Sequence, residues 1–352
     1  MKRFALALSL LTLFFAGTTI VAAVAWGALL RVTGTGGEMI VSADKWLETL
    51  SPEQKTKVLM DYGAPERLDW HFIPKASRKG LQIKEMTEGQ RKAAHTLLQS
   101  CLSQAGYTKA TRIMSLEKVL AELEKKKVGG NIRDHERYYF TIFGRPADDS
   151  KWGLSIEGHH TSMNFVVDKG RVVSSSPLMF GTNPAIAKDE HLEGFPKGMR
   201  VLAAEEELAF ELLHSLSAEQ KKEAVIAEKA LEEVRNAGKP QPPDEPAAGI
   251  AVGKLTAAQK KTLLSLIEAY AKNVPDDVAK ERLTDIEKSG FDKVKFAWAG
   301  ADKLGIGHYY RIQGQTFLIE FVNTQPDAAG NPANHIHCLW RDMRGDFAIP
   351  IK

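Results

Sequence analysis

An α+β fold is expected for this chain: a tandem duplication of a unit of helices followed by an antiparallel β-meander, the two copies packed with pseudo-two-fold symmetry. Three observations carry that expectation. Four helix-capping segments recur at near-constant spacing. Apolar stripes of helical period follow them in matching phase. Strand-patterned sequence then closes both halves, and runs of helix followed by runs of strand define the α+β class.

The capping segments are Leu50–Gln54, Met86–Gln90, Leu216–Gln220 and Leu255–Gln259. Each places Ser or Thr three residues before Gln, so the hydroxyl can accept from the N3 amide while the Gln side chain returns to the cap. Pro52 falls at the first helical position, where a missing amide hydrogen costs little. The first segment maps onto the third at an offset of 166, and the second onto the fourth at 169. Ala94, Leu97, Leu98 and Cys101 then repeat as Leu263, Leu266, Ile267 and Tyr270, a core-facing stripe. Trp46 and Leu47 correspond in the same way to Leu212 and Leu213.

The strand-patterned sequence matches at larger offsets. Tyr138–Gly144 aligns with His308–Gly314 at 170, and His160, Phe165 and Gly170 align with His335, Trp340 and Gly345 at 175. Helices are expected near 42–62, 87–104 and 114–127 in the first unit, with strands near 136–144, 152–167 and 171–176. In the second, helices are expected near 203–236, 256–272 and 276–289. Its strands are expected near 293–299, 307–314, 316–324, 334–342 and 346–350. The domain organisation that follows is an N-terminal anchor or signal peptide at 1–31, a flexible spacer at 32–41, a first unit at 42–176, a connector at 177–202 and a second unit at 203–352. The Pro-rich stretch Lys239–Pro246 reads as a surface loop inside the second unit.

Residues Phe4–Leu30 form an uncharged run of 27 behind Lys2 and Arg3. As a helix it would reach roughly 40 Å at 1.5 Å per residue, beyond a bilayer core of about 30 Å. An uncleaved anchor and a signal peptide cleaved after Ala23-Val24-Ala25 both fit, and both predict an exported, extracytoplasmic body. Lys2, Arg3 and Arg31 account for the whole formal charge of +3, because the other 44 basic residues face 44 acids. A body without net charge gives no support for nucleic-acid binding. The partner classes left open are a small molecule or another envelope protein, besides the membrane itself through the N-terminal segment. Cys101 and Cys338 sit in apolar patterns and read as buried free thiols more readily than as a disulfide.

Several unusual strings occur in order along the chain: Arg133-Asp134 before Tyr138-Tyr139 and Phe143-Gly144; Glu157-Gly-His-His160 with Asn164-Phe165; Phe180–Ala185; Glu205-Glu206 with Leu212-Leu213; and Asn334–Asp342. Over roughly residues 42–352 the chain resembles a bacterial family catalogued as domain of unknown function 3500. The resemblance implies no activity, substrate or cofactor, so function has to be argued from a site.

The candidate site is a set of histidines. In a strand, side chains alternate faces, so His335 and His337 share one while Ile336, Cys338 and Trp340 take the core face. His160, Ser162 and Asn164 are expected to share a face in the first unit, with His160 equivalent to His335. Three imidazoles on one polar face suit a divalent metal such as zinc, copper or iron. Glu157 and Glu320, at strand ends, are the candidate catalytic carboxylates, as ligand or general base. Metal-activated water makes hydrolysis the first reaction class to consider. The competing readings are imidazoles that only hydrogen-bond within a half-buried sheet, and a non-catalytic ligand- or protein-binding module. Other clusters are weaker. Asp189-Glu190-His191 with Glu193 suits a solvated loop, Phe180–Ala185 a turn-rich connector, and Ser174–Ser176 lacks the flanking glycines of a nucleophile elbow.

Overall fold

The structure is a computed structural model, and it describes residues 34–125, 132–190 and 194–351. The anchor or signal segment at 1–31 lies outside the described residues, as do His191 and Glu193. The first half runs α1 (Thr35–Thr49), α2 (Pro52–Val58), β1 (Leu59–Met60), β2 (Leu81–Gln82), α3 (Glu88–Cys101), α4 (Gln104–Glu124), β3 (Tyr139–Phe143), β4 (Lys151–Gly158), β5 (Thr161–Asp168), β6 (Arg171–Ser174) and β7 (Leu178–Thr182). The second runs α5 (Ala203–Ser215), α6 (Ala218–Ala224), β8 (Val225–Ala227), β9 (Ile250–Ala251), α7 (Ala257–Ala271), α8 (Asp276–Lys288), β10 (Lys295–Gly300), β11 (His308–Gln313), β12 (Phe317–Asn323) and β13 (Ile336–Asp342). The class is α+β.

All four capping boxes form, at Ser51/Gln54, Thr87/Gln90, Ser217/Gln220 and Thr256/Gln259. Their glutamines also meet in pairs. Gln90 Nε2 donates to Gln54 Oε1 at 2.8 Å, and Gln220 Nε2 to Gln259 Oε1 at 2.9 Å. One side chain thus caps its own helix and ties it to its neighbour. The stripes on α3 and α7 are buried, and both cysteines are free and buried.

The strands form one mixed sheet in the order β1-β3-β4-β5-β7-β13-β12-β11-β10-β8. β1 runs parallel to β3 and β8 parallel to β10, at opposite edges. β2 and β9 add antiparallel to the same two strands. Gly80 and Gly249 both have positive φ, and a Cβ on either would fall within 2.5 Å of the Phe140 or Phe296 carbonyl oxygen. The edge arrangement places β3 opposite β10, not opposite β11. The offset-170 match of Tyr138–Gly144 with His308–Gly314 therefore pairs strands that hold different places in the sheet.

Both sheet faces are covered. The helices pack on one, over Met163, Phe180, Phe321, Ile336, Cys338 and Trp340. On the other, irregular segments at 61–80 and 228–249 and the C-terminal turn bury a second cluster around Trp70, Phe72, Met179, Val234, Val322, Leu339 and Phe347. Trp70 Nε1 donates to the Lys239 carbonyl at 2.8 Å, joining the two segments.

Several expectations need correction. Residues 35–41, expected in a flexible spacer, are the first turns of α1. Gly36 is buried there because the helix packs directly on the β5–β6 turn. The helix expected at 114–127 begins at Gln104, capped by Ser103. The strand expected over 152–167 is broken by a two-residue turn at His159-His160. The connector at 177–202 contains β7, a central strand. The helix expected over 203–236 stops at Ser215, restarts at Ala218 and ends at Ala224. Beyond it, burial of Ala230 and Val234 against the sheet overrides the helical propensity of Glu228–Arg235. The last expected strand, 346–350, is a short 3-10 turn at Asp346–Ala348.

A Cβ at Gly36 would lie 2.3 Å from the Gly170 carbonyl oxygen, which is backbone and cannot swing aside. Gly36→Ala is expected to lower the unfolding free energy by about 1–3 kcal/mol, read as a lower urea midpoint at unchanged m-value.

Candidate metal centre

The central strand pair builds the site. β7 and β13 run antiparallel with Gly181 opposite His337 and Phe180 opposite Cys338. That register sends Cys338 and Phe180 into the helix-side core and turns His337 to the opposite face. His335 precedes β13, and its backbone N–H donates to Asn323 Oδ1 at 3.0 Å. His160 arrives from the β4–β5 turn, with a left-handed φ of 61°. Its N–H donates to the Phe72 carbonyl at 2.8 Å, and its carbonyl accepts from the Gly181 N–H at 2.8 Å. Left-handed backbone at a non-glycine residue is uncommon and gathers at functional sites.

The three rings meet edge to edge. His335 Nε2 lies 2.7 Å from His160 Nε2 and 3.1 Å from His337 Nε2. One ligand atom from each ring falls within 4.8 Å of the other two. His160 and His337 are buried, and His335 is partly buried. Zinc with bonds of about 2.0–2.1 Å to nitrogen spaces tetrahedral ligands roughly 3.3 Å apart.

The hydrogen count explains why the arrangement suits a cation. His337 Nδ1 lies 2.8 Å from Glu233 Oε2 and 3.0 Å from Oε1. An ionised carboxylate only accepts, so Nδ1 carries the proton and Nε2 of neutral His337 presents a lone pair. His335 Nε2 must then serve two neighbours. As an N–H it can donate to one; as a lone pair it faces the lone pair of His337. An electron-pair acceptor between the rings satisfies all three at once. Burial, reinforced by the neighbouring imidazoles, holds His335 down to about 2 and His160 well below the ordinary histidine value, so neither ring supplies a positive charge.

The surroundings brace the rings. Phe72 packs against His337 at 4.7 Å between centroids, and His159 stacks on His160 at 3.8 Å. His159 Nδ1 pairs with the Glu117 carboxylate, and Arg133 Nη1 lies 3.1 Å from the same nitrogen. Behind His335, Asn323 Nδ2 donates to Glu206 Oε1 at 2.8 Å, and Arg200 Nη2 to Glu206 Oε2 at 2.7 Å.

Of the five anticipated site residues, His160, His335 and His337 converge. Glu157 accepts from Lys79 at 2.9 Å, with Arg78 at 3.8 Å. Glu320 accepts from Arg235 at 2.7 Å and from the Tyr309 hydroxyl at 2.6 Å. Neither carboxylate hydrogen-bonds to the three imidazoles. The expected likeness of His160 and His335 also needs correction. His160 sits in the turn between β4 and β5, whereas Gly314–Thr316 joins β11 and β12. The carboxylate that does touch the cluster is Glu233, within the stretch expected to be helical. Its Glu-Glu-Val-Arg setting carries no sign of that role. Arg341 lies on the His337 face, where its buried partner is Asp346 at 2.6 Å.

Two predictions follow from this packing. A Cβ at Gly181 would lie 2.9 Å from His160 Cδ2, 3.0 Å from His337 Cδ2 and 2.8 Å from the Ile336 carbonyl oxygen. Gly181→Ala is expected to cost about 1–3 kcal/mol in chemical unfolding and to spread the rings. Burial pushes the Glu206 carboxyl up, but the His308 ring 3.0 Å away, the Asn323 hydrogen bond and the charge of Arg200 outweigh it and hold it below 4.5. A carboxyl lowered by folding contributes stability that is full above the unfolded value and lost as pH falls through the folded one. Glu206→Gln is expected to cost about 1–3 kcal/mol at pH 7 and to flatten the loss of stability below about pH 4.5, measured as unfolding midpoint against pH.

No curated protein and no solved structure matches the chain. The model of the family described as "Protein of unknown function (DUF3500)" matches residues 34–349. The chain belongs to that family.

Proposed function

We propose that this is a divalent-metal-binding protein whose centre is the imidazole cluster of His160, His335 and His337. The single observation that carries the reading is the pair of Nε2–Nε2 contacts at His335, 2.7 and 3.1 Å long, beside a carboxylate that fixes the His337 proton on Nδ1 and leaves Nε2 as the ligand atom. Neutral nitrogen donors select zinc, copper or iron over calcium or magnesium. Three protein ligands leave a coordination position for water, and metal-dependent hydrolysis is the activity such a position serves. Glu157 and Glu320 remain the proposed catalytic carboxylates of that finer reading. Their ion pairs with Lys79 and Arg235 would have to open first.

The rest of the proposal concerns assembly and place. A duplicated unit is supported by the strand order, alike from both edges, and by the paired Gln54/Gln90 and Gln220/Gln259 locks. Its strand correspondence would place Phe140 on Phe296, Ile156 on Ile312 and Met163 on Ile319, an offset of 156. Export rests on the apolar run behind Lys2 and Arg3. Among the described residues no helix is long and apolar enough to cross a membrane.

Elemental analysis of the purified full chain tests the centre. About one equivalent of zinc, copper or iron is expected, falling to background in a His335→Ala, His337→Ala double variant that keeps its circular dichroism. Readdition of the metal at about 100 times its Kd is expected to stabilise the wild type by about 2.7 kcal/mol. A folded, metal-free wild type whose unfolding midpoint ignores all three metals would leave the histidines as internal packing of a non-catalytic binding module.

A further inference from the structure

The helix-covered face of the sheet holds a cavity away from the histidines. Its lining includes Ser174, Ser175, Arg282, Thr316 and Trp340. The Arg282 guanidinium stands 4.6 Å from the centre of the Trp340 ring. Its Nη2 donates to the Ser175 carbonyl at 2.6 Å and to Ser175 Oγ at 2.7 Å. Its Nη1 is shielded from solvent and has no hydrogen-bond partner, and the same holds for Thr316 Oγ1.

The acids at the rim are engaged elsewhere. Asp285 and Asp342 accept from Arg344 at 2.7 and 2.8 Å, and Glu281 meets Arg171 at 3.5 Å. Asp342, itself bonded to Arg344, lends the Arg282 charge some support, but burial outweighs it and pulls the guanidinium down to about 9. An unsatisfied N–H and an unsatisfied hydroxyl in one cavity are what an oxyanion would repair.

We propose that this cavity binds a small monocarboxylate, held by Arg282 Nη1 and Thr316 Oγ1, with its short apolar stem against Trp340. The planar guanidinium matches the carboxylate edge. The rim acids are neutralised by Arg344 and Arg171, so the site offers one uncompensated positive charge, which a monoanion balances and a dianion exceeds. The site lies on the opposite face from the metal centre, and its occupancy does not depend on that reading.

Thermal unfolding at constant ionic strength tests it, with sodium acetate and sodium propionate as probes against sodium chloride and inorganic phosphate. Acetate and propionate are expected to raise the wild-type Tm saturably, beyond chloride. The rise is expected to vanish in Arg282→Gln and to need about tenfold more acetate in Thr316→Val. Arg282→Gln, relieved of a buried charge, is expected to be no less stable than wild type without acetate. Should it fail to fold, the Thr316→Val titration decides. Acetate acting no differently from chloride on the wild type would show that water alone fills the cavity, and equal responses in wild type and the folded variants would likewise overturn the proposal. Phosphate binding more tightly than acetate would overturn the assigned class.

Discussion

The pairing of β7 with β13 is the constraint from which the rest of the architecture follows. It joins the two halves at the middle of the sheet, with Leu178 opposite Trp340 and Gly181 opposite His337. Because strand side chains alternate, this one register assigns Leu178, Phe180, Cys338 and Trp340 to the helix side and Met179, His337 and Leu339 to the other. A slip of one residue would exchange the faces, putting the His337 imidazole under the helices and the helix-side core residues under the irregular segments. The absence of a side chain at Gly181 is part of the same constraint, since two imidazoles occupy the space a Cβ would need.

Much of this was legible in the sequence where a local rule has a local cause. The capping boxes are written in four residues each, and all four form. The face of β13 follows from alternation in Ile336–Trp340. The convergence of His160, His335 and His337 was anticipated too, but on an incorrect correspondence. His160 was aligned with His335 as its repeat equivalent, whereas it reaches the cluster from a turn that nothing in Gly158-His-His-Thr161 announces. The histidines meet because β5 and β13 both pair with β7, a strand whose Leu-Met-Phe-Gly-Thr sequence sits among turn residues. Glu233 shows a different limit. Residues 228–235 have the composition of a helix, and only the unsheltered sheet face draws them into an irregular path that brings Ala230 and Val234 into the second core.

That second core links structure to site. Parallel or mixed sheets with apolar side chains on both faces need cover on both. Here the helices supply one layer and two irregular segments supply the other. Each segment delivers one group to His337: Phe72 its ring and Glu233 its carboxylate. The Trp70–Lys239 hydrogen bond locks the segments to each other beside the cluster. The positions of the ligands and of the groups behind them are therefore set by the packing that closes the sheet, as a pre-organised site requires.

The electrostatic logic of the cluster runs against its surroundings, and that contrast argues for a cation. A buried polar group is normally matched by a complementary one. Asn323, Glu206 and Arg200 follow that rule, as do Arg341 and Asp346. The three Nε2 atoms do not: they are alike in kind, and Glu233 removes the tautomer of His337 that could have mediated between them. Protonation is the alternative way to reconcile such nitrogens, but burial and mutual repulsion oppose it at His160 and His335. A divalent ion brings its charge to the point where the lone pairs meet without adding a proton to any ring, and the carboxylate of Glu233 then strengthens the donor it already orients.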